Sequence, residues 1–132
     1  MHNEIEQKFI TDYIIKEKQE RFVFELGSPK KRETAISRFS HNVENILKKG
    51  VNKQVVTNFA DIHETDQSVY VISAGNKDGT ITSLSDAFSY AENAYTPVII
   101  VGKCFSIIKE EVEGGNTRIF YLKKYCRQRY CS

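Results

Sequence analysis

The sequence predicts an α+β fold: an N-terminal antiparallel helical hairpin packed on a small, mostly antiparallel sheet of about four strands, with one further short helix. Up to residue 50, apolar residues recur every three or four positions, which is typical of amphipathic helices. Past residue 68 they form short β-branched and aromatic runs, which are typical of strands. Because the two patterns are segregated along the chain, we assign the α+β class.

The first predicted helix covers about residues 3–26, a stretch of good helix formers without Gly or Pro. Asn3 can cap its N-terminus, and acidic residues in the first turn suit the positive end of the helix dipole. Gly27 suits the position after the C-terminus. Residues 22–24 are also compatible with a short extended piece.

The second predicted helix covers residues 28–49 and has the clearest boundaries. Ser28 can cap it, Pro29 fits the first helical position, and Gly50 follows its end. Because the link between the two helices is too short for anything but a reversal, we expect an antiparallel hairpin. The apolar stripe that should pack on the sheet consists of Ile36, Phe39, Val43, Ile46 and Leu47.

Residues 51–68 are predicted to connect the hairpin to the rest of the chain. Val55, Val56 and Phe59 fit either a short strand or a turn of helix. The polar stretch 61–67 is predicted to be a loop.

Residues 69–123 are predicted to form a β-α-β-β-β unit. The turn residues of Gly75–Gly79 end the first strand, and Thr82 or Ser83 can cap the following helix. The continuous apolar run of 98–101 is typical of a central strand. The remaining strands are predicted near 103–108 and 119–122, and a basic tail covers 124–132. We expect the 132 residues to form one domain, 1–132.

The net charge of +2 hides an uneven distribution along the chain. Residues 21–53 hold eight bases and three acids, and residues 114–132 hold five bases and no acid. The other segments hold six bases and fourteen acids. Two basic blocks therefore stand against an acidic remainder, so the composition does not exclude anionic partners.

Candidate binding residues lie in both basic blocks. Six of them fall within an arc of about 100° on the second predicted helix, opposite its apolar stripe. The others interleave bases with an aromatic ring at the C-terminus, a composition that suits phosphates and nucleobases. A solvated helix face and a charged edge strand followed by a frayed tail explain the same patterns without a partner. The candidates are Lys30, Lys31, Arg38, His41, Lys48, Lys49, Lys123, Lys124, Tyr125, Arg127 and Arg129.

No motif in the sequence predicts catalysis, a metal or a cofactor. Cys126 and Cys131 lack the tighter spacing and the second ligand pair of a structural zinc site. Cys104 with His63 and either Asp61 or Asp66 is the nucleophilic set that can be assembled, but Cys104 lies in an apolar strand, where a buried thiol is usual. Acidic residues around His63 lack the spacing of a calcium loop, and 75–79 matches no phosphate-loop motif.

Composition also predicts where the protein resides. No apolar run approaches the length of a membrane span, and the N-terminus carries acids where a signal peptide carries bases. Three cysteines are an odd and sparse set for a secreted domain. We therefore expect a cytoplasmic protein with reduced thiols and without a membrane span.

Three functional hypotheses follow. The first is a non-catalytic protein-interaction or regulatory module with a protein partner, since no catalytic set stands out. The second is a nucleic-acid binder that uses the basic helix face and the C-terminal tail. The third is an enzyme whose site is not recognised. A homodimer through an edge strand or through the helical hairpin is compatible with each of them.

Overall fold

The computed structural model describes residues 3–110 and 117–124, and within them it confirms the α+β class. The described strands all pair antiparallel in one sheet. The helices are α1 (Asn3–Tyr13), α2 (Lys16–Leu26), α3 (Arg32–Ser40), α4 (Val43–Ile46) and α5 (Leu84–Asn93), with a short 3-10 helix at Phe59–Asp61. The strands are β1 (Asn52–Val56), β2 (Ser68–Ser73), β3 (Ile81–Ser83), β4 (Val98–Val101), β5 (Phe105–Lys109) and β6 (Ile119–Lys123).

The first predicted helix is in fact two helices, because the chain opens at Ile14 and Ile15. Ile14 forms an isolated antiparallel bridge with Leu47. The Ile15 amide donates to the Ile46 carbonyl at 2.9 Å. Two adjacent β-branched residues weaken the helix locally, and the bridge to a distant segment replaces the lost helical bonds.

The second predicted helix is also divided. The chain turns over residues 28–31, where the Ser28 carbonyl accepts from the amides of Lys31 and Arg32, and α3 then begins. His41 ends α3, Asn42 precedes the single turn of α4, and Leu47 is already extended. The predicted hairpin of two long helices is therefore wrong, and a layer of four short helices takes its place.

The sheet has the order β1-β6-β5-β4-β2-β3, so β1 and β3 are its edges. β4 lies inside the sheet, as its apolar run predicted, and Ile100 within it is fully buried. β1 comes from the segment predicted to be a connector, and β3 follows the Gly75–Gly79 turn. The prediction of about four strands left out β3 and left β1 open, since Val55 and Val56 also fitted a turn of helix. Neither strand alternates apolar with polar residues over a sufficient length.

Helices cover both faces of the sheet. The helices α1–α4 pack on the face that carries Tyr70, Ile72, Ile99, Ile108, Phe120 and Leu122. The other face is covered by α5, whose N-cap is Ser83: its hydroxyl accepts from the Asp86 amide at 3.2 Å. Strand residues therefore point alternately into two separate cores. The predicted packing of the Ile36–Phe39–Val43 stripe on one sheet face is confirmed.

The predicted basic tail, 124–132, lies outside the described residues except for Lys124. Among residues 3–110 and 117–124, we find no helix that combines the length and the apolar character needed to cross a bilayer.

Candidate functional site

The basic residues predicted to share one helix face do not lie on one helix. Lys30 and Lys31 lie in the turn before α3, and Lys48 and Lys49 follow the end of α4. Arg38 is the one member inside α3, and His41 is its C-cap. The predicted angular order is therefore wrong, because it assumed an uninterrupted helix from residue 28 to residue 49.

Several of these cations already contact groups of the same molecule. Both terminal nitrogens of Arg38 donate to Glu25 Oε1 at 2.9 Å. The Lys31 ammonium lies 5.2 Å from the centre of the Phe24 ring, and Lys48 donates to the Thr11 carbonyl at 2.6 Å. The positive charge of this block is thus partly balanced within the fold.

Lys123 and Lys124, at the end of β6, are also paired. Lys123 forms an ion pair with Glu64, which also accepts the Tyr121 hydroxyl at 2.5 Å. Lys124 forms an ion pair with Asp12 at 2.5 Å. Tyr125, Arg127 and Arg129, the other predicted members of this block, lie outside the described residues.

The C-terminal end of α1 is where the two basic blocks meet. Lys48 binds the backbone at Thr11, and Lys124 binds the side chain of the next residue, Asp12, to which Lys8 also donates at 2.8 Å. Cations at this position interact favourably with the negative end of the helix dipole. The structure therefore brings Lys48 and Lys124 together, whereas Arg38 lies against α2.

These contacts change the acidity of the groups involved. Burial raises the pKa of the Asp12 carboxyl, but hydrogen bonds from Lys124 and Lys8 outweigh burial and hold it below its usual 3.8. Burial and the hydrogen bond to Glu64 raise the pKa of the Tyr121 hydroxyl. Asp12 is therefore ionised and Tyr121 is neutral at neutral pH.

A second, buried ion cluster surrounds Arg32, which the sequence reasoning did not single out. Glu6, from α1, accepts from both terminal nitrogens of Arg32 at 2.8 and 2.6 Å. Asp78, from the turn between β2 and β3, accepts at 2.7 and 2.8 Å. The fifth donor of Arg32 binds the Leu26 carbonyl at 2.9 Å, so every N–H of the guanidinium is paired.

This buried cluster also involves the sheet. Tyr70, in β2, donates its hydroxyl to Glu6 at 2.6 Å, and Asp78 accepts from the Ser73 amide at 3.0 Å. Burial lowers the pKa of Arg32, but its bonds with Asp78 and Glu6 outweigh that effect and raise it. A full set of partners indicates a structural cluster that ties α1, α3 and β2 together. The sequence signal was Glu6, an acid within the apolar stripe of α1.

An apolar groove of about 370 Å³ opens between α1 and one end of the sheet. Successive turns of α1 form one wall and residues of β2, β3 and β4 form the other. Lys8, Asp12 and Lys103 lie at its polar margin. Its apolar lining consists of Ile5, Phe9, Tyr13, Val69, Tyr70, Ile81 and Val101.

The other chemical candidates do not form a site in the described residues. Cys104 is disulfide-bonded, so the expectation of a reduced thiol at this position is wrong, and its partner lies outside the described residues. The pairing also removes Cys104 as a free nucleophile for the set with His63 and Asp61 or Asp66. Residues 3–110 and 117–124 contain no group of three or more metal-ligating side chains.

Comparison of the chain with known protein families, with curated proteins and with solved structures finds no match.

Proposed function

We propose that this protein is a non-catalytic protein-interaction module whose apolar groove binds an amphipathic segment of another protein. The segment would carry large apolar side chains flanked by Asp or Glu. The groove between α1 and the β2–β3 edge is the observation that carries this proposal. Its volume, about 370 Å³, would hold a few apolar side chains, and it falls within the range of known ligand pockets.

The exposed wall of the groove favours a protein partner. Ile81, on the edge strand β3, leaves 53% of its surface exposed beside the buried rings of Phe9 and Tyr70. A large aliphatic side chain in this position would be removed from water by a bound segment. Exposed apolar surface with a polar rim is typical of protein interaction sites.

The charges at the rim suit an acidic flank on the partner. Lys8 and Lys103 line the groove with Asp12, and Lys124 is bound to Asp12. Two lysines, Lys8 and Lys124, thus share one carboxylate, Asp12, at this rim. A segment with acidic residues beside its apolar anchors would complement that excess and associate faster at low salt.

The internal pairing of the basic residues supports a protein partner over a nucleic acid. Arg38, Lys123 and Lys124 each contact a carboxylate, and Lys48 contacts a carbonyl. Phosphates would have to compete with these partners for the same donors, whereas a segment anchored by apolar side chains depends less on free cations. Nucleic-acid affinity, which depends on neutralising several phosphates at once, is weakened accordingly.

A nucleic-acid partner is the second candidate, and one observation favours it. Lys8, Lys48 and Lys124 converge on the C-terminal end of α1. If this surface binds RNA, affinity for a single-stranded RNA falls steeply as salt is raised. It also falls further in a Lys48→Gln/Lys124→Gln variant. A protein that shows no such salt-dependent binding is not a nucleic-acid binder.

Peptide selection tests the proposed groove. A random peptide library displayed on phage, panned on the protein, is expected to yield sequences with two or three large apolar residues next to Asp or Glu. Their affinity, measured by fluorescence anisotropy, should fall at least about tenfold in Ile81→Glu, which puts a charge on the apolar wall. Tyr95→Glu is the matched control. Tyr95 is fully exposed and precedes the start of β4, whereas the groove lies at the end of β4.

Two results would overturn the proposal. One is a library that yields no binder with an apolar anchor. The other is a peptide whose affinity falls equally in Ile81→Glu and Tyr95→Glu.

We also retain the cytoplasmic location as a proposal, supported by the odd and sparse set of three cysteines. The Cys104 disulfide weighs against it, since such bonds persist mainly in oxidising compartments. Rapid alkylation of free thiols in intact cells, followed by mass spectrometry, distinguishes the two. A cytoplasmic protein should carry the label on Cys104, whereas an exported one should not.

A further inference from the structure

We propose that the open edge of β1 pairs with β1 of a second copy of this chain, antiparallel, with the two-fold axis at Gln54. β1 ends the sheet on one side, and residues 52–55 are exposed. An open strand edge carries backbone groups that can be completed by another strand. The inference does not depend on the groove, which lies at the opposite edge of the sheet.

The ladder pattern shows which groups of β1 face outward. At the two ends of the β5–β6 ladder, the Glu110 amide donates to the Arg118 carbonyl and the Lys124 amide donates to the Cys104 carbonyl. Hydrogen-bonded pairs alternate along an antiparallel ladder, so the even residues of β6 bond to β5 and the odd ones to β1. In the register of β1 with β6, residues 52, 54 and 56 then face β6. Lys53 and Val55 direct their amides and carbonyls to the open edge.

The ends of this edge are closed within the molecule. The Val51 amide donates to the Lys48 carbonyl at 3.4 Å, and the Thr57 amide donates to Asp61 at 3.5 Å. The outward groups of Lys53 and Val55 have no partner among the described residues. At the other edge, β3 has three residues, and the last of them caps α5. The edge that can extend the sheet is therefore the one at β1.

The edge is complementary to itself about Gln54. In the two-fold pairing, the backbone of Lys53 in one copy exchanges two hydrogen bonds with the backbone of Val55 in the second copy. The symmetric pair, Val55 with Lys53, adds two more, so the interface has four backbone hydrogen bonds. Each lysine then faces a valine, so like charges are not opposed. The Lys53 ammonium is held by Glu44 at 2.9 Å in its own copy and does not block the edge. Val55, 51% exposed, loses water contact in the pair.

Proline substitution tests the pairing, because Val55 can lose its amide hydrogen without losing a bond to β6. Sedimentation equilibrium from about 1 μM to about 1 mM should show a weak monomer–dimer equilibrium, as expected for a small interface. Val55→Pro removes two of the four intermolecular bonds, and dimerisation should weaken at least about tenfold. Ile81→Pro, on the opposite edge, is the control and should dimerise as the native protein does. Circular dichroism checks that both variants fold.

Substitution at the axis tests the register. Gln54→Glu places two carboxylates directly opposite each other, so dimerisation should weaken and recover as salt is added. In the proposed pair, residue 52 lies opposite Val56 of the second copy, so Asn52→Glu should change the dimerisation affinity much less. A protein that is monomeric throughout the concentration range contradicts the proposal. A dimer unaffected by Val55→Pro, or equally weakened by both glutamates, contradicts it as well.

Discussion

Helix α1 carries a carboxylate of each of two ion clusters, and the two are built differently. Glu6 is buried, and its partner Arg32 is fixed by five hydrogen bonds, to Glu6, Asp78 and the Leu26 carbonyl. Asp12, about two turns along, is part-buried, with a side chain 14% exposed, and lies between two exposed lysines, Lys8 and Lys124. The side chain of Arg32 is 9% exposed, whereas those of the two lysines are 65% and 43% exposed.

This difference separates charges that hold the fold from charges that are available to a partner. Removing one member of the buried cluster leaves the others uncompensated in a medium of low dielectric constant. Removing one lysine at the surface leaves Asp12 a second lysine and water. Charge density along the sequence pointed to the surface residues, although the buried cluster is expected to contribute more to stability.

The largest expected effect belongs to Arg32→Met. It leaves the carboxylates of Glu6 and Asp78 without their shared cation, and the free energy of unfolding should fall by about 3–5 kcal/mol. Arg38→Met is the control: Arg38 is 41% exposed and Glu25 keeps Arg21, so the loss should stay below about 1 kcal/mol. Urea unfolding followed by circular dichroism measures both.

A second substitution keeps this test informative if Arg32→Met does not fold. Arg32→Met/Glu6→Gln removes one of the stranded charges and should recover part of the lost stability. Equal losses for Arg32→Met and Arg38→Met would show that burial does not separate the two arginines.

Tyr70→Phe should have an intermediate effect. The Tyr70 hydroxyl donates to buried Glu6, and its loss should cost about 1–3 kcal/mol. Tyr121→Phe removes a similar bond to Glu64, whose second partner Lys123 is half exposed, and should cost less than about 1 kcal/mol. Thermal unfolding of the two variants compares them, and a reversed order would contradict the distinction.

The smallest expected effect is the pH dependence from Asp12. Because the folded protein holds the pKa of Asp12 below 3.8, the unfolded chain takes up the proton first as the pH falls. The stabilisation is therefore complete above about pH 4 and is lost as the pH drops through the folded value. Asp12→Asn should lower the free energy of unfolding by less than about 1 kcal/mol at pH 7, and by less still near pH 3. Urea unfolding at both pH values checks this, and a constant difference would contradict the assignment.

The sequence was sufficient to predict the fold class, the internal strand β4, and helix α5, which covers the second core. The Ser83 cap and the apolar run 98–101 are local signals, and both are confirmed. The breaks at Ile14 and at His41 are not local, since the first depends on a bridge to Leu47, more than thirty residues away. β1 has four exposed residues out of five, so only its pairing with β6 identifies it as a strand.

The candidate site was less accessible to sequence reasoning. Lys48 and Lys124 were predicted in separate blocks, and only the fold brings them to the same helix end. Arg32 looked like one base among eight because its partners, Glu6 and Asp78, are 26 and 46 residues away. The groove combines residues from α1 and from three strands, so no single segment carries its pattern.

The most direct test of the functional proposal measures one selected peptide against three proteins. These are the native chain, Ile81→Glu, and the neutralised variant Lys30→Gln/Arg38→Gln/Lys48→Gln. An interaction through the apolar groove predicts that Ile81→Glu weakens binding at least about tenfold, while the neutralised variant stays within about threefold of the native affinity. Loss of binding in the neutralised variant, with Ile81→Glu unchanged, would assign recognition to the basic residues and contradict the proposal.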